Sequence, residues 1–194
     1  GGLAAESTPA LRLALSADVT TVDPHAVNIT PNNTVGWHVF DALTHVDANA
    51  RLIPGLAESW RAVDATTWEF KLRRAKFHDG SDLTADDVLF SLDRAAKLPN
   101  GQFASFVQRL IERSAPDPRT VRVRTATPYA MVPYDLNSIF IVSRRAAERA
   151  TTEDFNTGRV GAGTGPYKLA GYKRGDRVDF TRNDAYWGGK PAFD

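Results

Sequence analysis

A mixed α/β fold is predicted by three observations. Short stretches alternate apolar and polar side chains, as in residues 68–72, 120–125 and 177–182. That two-residue period belongs to strands with one buried face. A stretch with helical spacing follows the first of these: Val88, Leu92, Ala95 and Ala96 recur on one side of residues 84–97. Between them, His78-Asp79-Gly80-Ser81-Asp82 is turn chemistry, with glycine free to take positive φ. Residues 68–92 therefore predict a strand–turn–helix unit. Thr84, Asp86 and Asp87 open the helix as a capping box in a shorter acidic form, with both carboxylates at the positive end of the dipole.

The remaining elements are read in order. Residues 11–15, Leu-Arg-Leu-Ala-Leu, alternate and predict the first strand. Residues 17–33 form a long connection, of a length that is often functional. A helix is predicted over 32–43 and a short strand over 44–46, with a turn at 47–50. Pro54-Gly55 begins a turn followed by a short helical piece ending at Trp60, and residues 61–64 and 68–72 predict a hairpin. Pro99-Asn100-Gly101 stops the capped helix. Phe103, Phe106, Val107, Leu110 and Ile111 fit a second amphipathic helix. Short helices are predicted within 128–136 and over 144–150, with a buried strand at 139–142. No repeat or low-complexity tract is present.

Composition sets limits. The chain has 194 residues, 42% of them hydrophobic and 24% charged, as in ordinary soluble domains. With 24 basic and 23 acidic residues the net charge is +1, so there is no electrostatic footprint for nucleic acid. No run reaches the roughly 18 apolar residues of a membrane span. There is no cysteine, which excludes disulfides, thiolate metal sites and a cysteine nucleophile. The four histidines lack the i, i+4 pairing of a zinc site. Asp79, Asp82, Asp86 and Asp87 do not have the spacing of a calcium loop. Gly161-x-Gly163-x-Gly165 is followed by Pro166 and strand pattern rather than by Gly-Lys-Ser/Thr, so it reads as backbone turn geometry and not as a phosphate cradle. G-x-S-x-G and H-E-x-x-H are absent as well. Catalytic residues, metals and cofactors are accordingly expected to be none.

Several segments carry a resemblance. Pro54-Gly-Leu56-Ala57-Glu-Ser59-Trp60, Phe70-Lys-Leu72-Arg73 and Phe77-His-Asp79-Gly80 up to Thr84-Ala85-Asp-Asp87-Val88 stand in one order. Gly163-Thr-Gly-Pro-Tyr-Lys-Leu169 and Arg182-Asn183 up to Tyr186-Trp187, Lys190 and Pro191 follow them. Together they resemble the signature of family 5 solute-binding proteins of ABC importers, the peptide- and nickel-binding type. The resemblance covers nearly the whole chain. It implies a periplasmic-binding-protein-like lobe of type II, cluster C, with an inserted α+β subdomain. Residues 1–46 and 162–194 would form the discontinuous first lobe and share a sheet, with 47–161 inserted. It also implies an N-terminal portion that stops before the second ligand-binding lobe, leaving strand edges through which the chain would self-associate.

The implied function is extracytoplasmic capture of a peptide-like or other small solute and its delivery to the membrane subunits of an ABC permease. The expected location is the periplasm, although residues 1–10 carry no signal-peptide pattern. Alternatives are a solute-sensing, receptor-docking module or, less in keeping with the motifs, a hydrolase. By resemblance the ligand contacts fall on Asn28, Ile29, Thr30, Trp37 and Phe103. Asn28 stands where oligopeptide-binding relatives carry Glu, Ile29 where they carry Gly, Trp37 where they carry Arg, and Phe103 near their ligand-facing Tyr. A neutral amide grips an ammonium group less strongly than a carboxylate. An indole favours stacking or apolar contact. A less charged or more apolar solute therefore fits at least as well as a peptide.

Overall fold

The computed structural model describes residues 10–160 and 163–194. In chain order its elements are α1 (Thr30–Val39), β1 (Thr44–Val46), β2 (Leu52–Pro54), β3 (Ala57–Ala62), β4 (Thr67–Leu72), α2 (Ala85–Lys97), α3 (Ala104–Val107), β5 (Leu110–Asp117), β6 (Thr120–Thr125), α4 (Val132–Asp135), α5 (Arg144–Ala147), α6 (Thr152–Asn156), β7 (Tyr167–Lys173) and β8 (Arg177–Arg182). A 3-10 turn, Leu136–Ser138, follows α4.

The larger core is built on an antiparallel sheet of order β3-β4-β6-β5. Register sets Trp68 opposite Val123 and Phe70 opposite Val121, so one face of the sheet is continuous and apolar. Helix α2 covers that face. Its Val88 and Leu92 join Phe70, Leu72, Val121 and Val123 in one cluster, each with 0% exposure. Burying such a side chain contributes about 1.5–3 kcal/mol. At the start of α2, the Asp87 carboxylate accepts from the Thr84 N–H at 2.9 Å and from its hydroxyl at 2.8 Å. After the helix, Asn100 takes φ 60° and turns the chain.

The smaller core joins distant parts of the chain. Val19, Val22, Val35, Val39 and Phe40 pack with Phe140, Val142, Phe155 and Val160, and Leu169, Tyr172, Val178 and Phe180 of the β7–β8 hairpin lean on them. The Gly165 N–H donates to the Val39 carbonyl at 3.0 Å and the Tyr172 hydroxyl to the Val19 carbonyl at 2.8 Å. Gly163 is where the returning chain comes closest. A Cβ there would lie 1.8 Å from the Val39 carbonyl oxygen. Gly163→Ala is expected to force the two backbones apart, at the upper end of the roughly 1–3 kcal/mol of an overpacked core. Urea denaturation checks this, and a change below about 0.5 kcal/mol, the range of an ordinary surface substitution, would refute it. Gly161 of the same motif lies outside the described residues, as do residues 1–9.

Several expected elements differ. Residues 11–15 are not a strand. Leu11, Leu13 and Leu15 are 52%, 62% and 41% exposed. Among the described residues no strand pairs with them, and alternation without a partner does not make a ladder. The first and last segments consequently share a core but, among the described residues, no sheet. Helix α1 begins two residues early, at Pro31's helical first turn, and ends at Val39. Leu43 is core but not helical.

The helical piece predicted before Trp60 is strand β3. Ala, Glu and Ser suit a helix, but the Leu56 and Ala57 N–H groups donate to Ala42 and Leu43, both at 2.9 Å, and β4 pairs with the rest. Tertiary pairing overrides propensity there. The second amphipathic helix is one turn only. From Leu110 the chain becomes edge strand β5, which tolerates Pro116. Residues 139–142 are buried, but among the described residues their pairing is a single bridge, Ala42 with Phe140. Helix α6 was not anticipated.

Candidate functional site

The loop before α1 and the exposed side of α1 hold four of the five residues singled out by the sequence. Ile29, in extended conformation, is the N-cap, and Pro31 fits the first turn, where an N–H would have no helical partner. Pro31, Asn32, Val35, Gly36 and Val39 face the core. The opposite side presents exposed Thr30 and half-buried Asn33, Thr34, Trp37 and His38, at the i, i+3, i+4, i+7 spacing of one helix face.

Asn28 sits at the helix entrance. Its N–H donates to Gln102 Oε1 at 2.7 Å, and its Oδ1 accepts from Asn33 Nδ2 at 2.8 Å. Ile29 is 41% exposed. The Thr30 carbonyl accepts from the Thr34 hydroxyl at 2.9 Å. Trp37 stands edge-on to Phe140 and to His45, with ring centroids at 4.7 and 4.9 Å. His38 donates from Nδ1 to the Thr34 carbonyl at 2.7 Å and stacks on Phe180 at 5.4 Å. The stripe thus offers amides, hydroxyls and aromatic rings, with no carboxylate, ammonium or guanidinium. Phe103 is placed apart from it: at 1% exposure it packs in the larger core, where it offers a ligand no surface.

Two buried polar networks underlie this face. In the first, Arg94 of α2 donates from Nη1 and Nη2 to both oxygens of Asp23, at 2.8 and 2.7 Å. Asp23 also accepts from the His25 N–H at 3.0 Å and the Thr152 hydroxyl at 2.8 Å. Burial would raise the Asp23 pKa, but Arg94 and these donors outweigh it and hold the carboxyl below its ordinary value. His25 is fully buried, with Nε2 2.8 Å from the Phe140 carbonyl and Nδ1 3.0 Å from Arg94 Nη1. A guanidinium only donates, so Nδ1 is the acceptor and Nε2 carries the proton. Burial, and then the Arg94 charge, push the imidazole down to about 4.

The second network is centred on Asp41, 1% exposed, just after α1. Its Oδ2 accepts from Thr164 Oγ1 and Trp187 Nε1, both at 2.8 Å, and its Oδ1 from the Tyr186 hydroxyl at 3.3 Å. The Arg73 guanidinium lies 3.8 Å from the Trp187 ring centroid, a cation–π distance. Burial and the nearby Asp41 charge raise the Tyr186 phenol above its ordinary range. This network ties the N-terminal segment to residues 164–187.

Neither network was legible beforehand. Asp23 and His25 fall within the 17–33 connection, where nothing local marks them as buried. Asp41 falls inside the helix predicted over 32–43 and reads as an ordinary charge, because its partners lie 123 and 146 residues away in sequence. Elsewhere, a depression of about 500 Å³ is lined by Arg145, Arg149, Asp154, Arg159 and their neighbours. Its Arg145 and Arg159 are already paired, with Asp79 and Asp154. Among the described residues, no group of three or more His, Asp or Glu side chains is placed to hold a metal ion, and no helix is long and apolar enough to cross a membrane.

Comparison with known proteins places this geometry in a family. The profile described as "Bacterial extracellular solute-binding proteins, family 5 Middle" matches residues 51–194. Protein XP55 of Streptomyces lividans is 37% identical over 160 residues, which cover 79% of this chain and 29% of that protein. The periplasmic oligopeptide-binding protein OppA of Escherichia coli is 28% identical over 195 residues, covering 88% of this chain and 35% of that one. Among solved structures, NikZ from Campylobacter jejuni in complex with Ni(L-His) superposes with a TM-score of 0.80 at 26% identity, over 90% of this chain and 35% of that one. This chain therefore spans about a third of the length of these relatives. On the profile match, which spans most of its length, the chain belongs to the family 5 bacterial extracellular solute-binding proteins.

Proposed function

We propose that the chain supplies one side of a solute clamp, which captures a small, predominantly uncharged solute outside the cytoplasm and passes it to an ABC permease in the membrane. Residues 1–46 and 162–194 belong to the first lobe, and 47–161 are inserted into it. Asn28, Ile29, Thr30 and Trp37 contact the solute. No bond in the solute is made or broken, and the ligand acts by favouring the closed arrangement of two lobes. Of the relatives named above, OppA is by name a periplasmic oligopeptide-binding protein and NikZ is seen in complex with Ni(L-His), so the solute class is not set by kinship alone.

The single observation that supports an uncharged solute is the α1 stripe itself. Its side chains offer hydrogen bonds and aromatic contact, and the charged groups of the two networks, Asp23, Arg94 and Asp41, are engaged internally. A charged solute would find no counter-charge there. Calorimetry with short peptides of matched length and charges of −1, 0 and +1 is the test. The neutral peptide is expected to bind best, and Trp37→Ala to weaken it about tenfold or more, the range of a truncated aromatic anchor, at a temperature where circular dichroism shows the variant folded, since the indole also packs on Phe140 and His45. One lobe holds only one side of a ligand, so the 194-residue chain is expected to bind no tighter than about millimolar, or about 4 kcal/mol. Micromolar binding by this chain alone, or tightest binding of a charged peptide, would sink the proposal.

A further inference from the structure

His45 is the unfinished member of the Asp41 network. Its Nε2 is buried and has no hydrogen-bond partner, yet it lies only 3.5 Å from Asp41 Oδ1. Asp41 Oδ2 is saturated by two donors at 2.8 Å, whereas Oδ1 receives only the longer bond from Tyr186, at 3.3 Å. Spare acceptor capacity thus faces a spare nitrogen across a gap that a shift of a few tenths of an ångström would close. A buried nitrogen left without a partner is unfavourable, so making this bond would be favourable. The ring involved is also one of the two against which Trp37 stands.

We infer that Asp41 and His45 are positioning residues for Trp37: closing the His45–Asp41 contact moves the imidazole under the indole and changes the seat that the solute would meet. This rests on the reading of Trp37 as a solute contact. Rotation of the imidazole is limited on one side by the Gly55 backbone, where a Cβ would come within 2.5 Å of the ring. On another side stands Trp187, edge-on at 6.3 Å. Asp41 and Trp37 stand against the ring as well, at 3.5 Å from Nε2 and 4.9 Å between centroids.

Protonation operates the same pair. The charged groups facing His45 are Asp41 from the end of α1 and Arg73 from the end of β4, and Tyr186 shares the Asp41 carboxylate from beyond β8. Burial holds the imidazole below its ordinary value, Asp41 opposes that and Arg73 adds to it. The lowered value favours the uncharged ring at neutral pH, and the contact stands at 3.5 Å. As pH falls through the lowered value of the imidazole, the imidazolium forms and pairs with Asp41. A clamp built this way would hold Trp37 differently in an acidified exterior.

The test is fluorine NMR on the 194-residue chain labelled with 5-fluorotryptophan, without solute. The four resonances are assigned by single Trp→Phe changes. The Trp37 and Trp187 signals are expected to titrate below pH 6.5 while Trp60 and Trp68 stay fixed and report that the fold is intact. The Trp37 titration should vanish in His45→Gln. In Asp41→Asn, which removes the charge that favours the imidazolium, its midpoint should move to lower pH. A Trp37 signal that is flat from pH 7.5 to 4.5, or that titrates unchanged in either folded variant, would overturn the inference. Because no solute is present, that failure is distinct from failure of the solute reading, which the Trp37→Ala calorimetry measures separately.

Discussion

Arg94→Ala is expected to destabilise the protein by about 3–5 kcal/mol, the loss seen when one partner of a buried ion pair is removed and its counter-charge stays behind. Asp23 has 0% side-chain exposure and Arg94 8%, so water cannot take over the guanidinium's two hydrogen bonds. The Asp23 carboxylate would keep the His25 N–H and the Thr152 hydroxyl, which neutralise no charge. The contact of Arg94 with the Phe155 ring, 4.6 Å from the guanidinium carbon, would go too. Since Asp23 lies in the loop before α1, Arg94 on α2 and Thr152 on α6, the loss falls on the joint between the two cores. Equilibrium urea denaturation measures it. Removing the charge as well, in Arg94→Met with Asp23→Asn, should recover part of the loss, and a single-variant cost below about 1 kcal/mol, that of a typical surface pair, would contradict the burial argument.

Acid is expected to remove about 3 kcal/mol of stability through His25 alone. Its pKa is 6.5 unfolded and about 4 folded, and each unit of difference is about 1.4 kcal/mol. A lowered histidine pKa means that the unfolded chain binds the proton more readily. This contribution is therefore complete above pH 6.5, falls as pH drops through the window from 6.5 to 4, and is gone below it. Asp23 acts in the same direction at lower pH. Its carboxyl is held below its ordinary value of 3.8, so its contribution is present above 3.8 and lost as pH falls toward the folded value. Urea midpoints at pH 7 and pH 4.5 test the histidine part. His25→Gln should flatten the dependence, and Arg94→Ala should weaken it, because the guanidinium is among the causes of the low value. An equal slope in His25→Gln and the parent would assign the acid sensitivity elsewhere.

How much could be read from the sequence followed the range of the forces involved. Strands β1, β6 and β8 and helix α2 were legible nearly to the residue, because alternation, Thr84 with Asp87 and the Pro99-Asn100-Gly101 stop act within a few positions. The errors came where a distant partner decides. Ala57 to Trp60 has helix-compatible residues but faces the open edge of β4. Leu110 and Ile111 keep the helical spacing of Phe103 and Val107, yet β6 draws them into the sheet. Residues 11–15 alternate as a strand should and have no neighbour among the described residues to pair with. The candidate site divides in the same way. Proximity in sequence placed Asn28, Ile29, Thr30 and Trp37 on one face, while Phe103, 66 residues beyond Trp37, went into the core. Asp41 and Arg94 gave no signal, since what distinguishes them is burial beside residues far along the chain.

The long reach of the Asp41 bonds also sets an order of events during biosynthesis. The hairpin partners β3–β4 and β5–β6 are neighbours in sequence and can pair as soon as they are made, and short loops close at little entropic cost. Asp41, by contrast, must wait for Thr164 and Trp187 to be synthesised before its carboxylate is covered. Until then Val35, Val39 and Phe40 have only part of their packing, and the nascent chain carries a finished central sheet with a loose, sticky N-terminal arm.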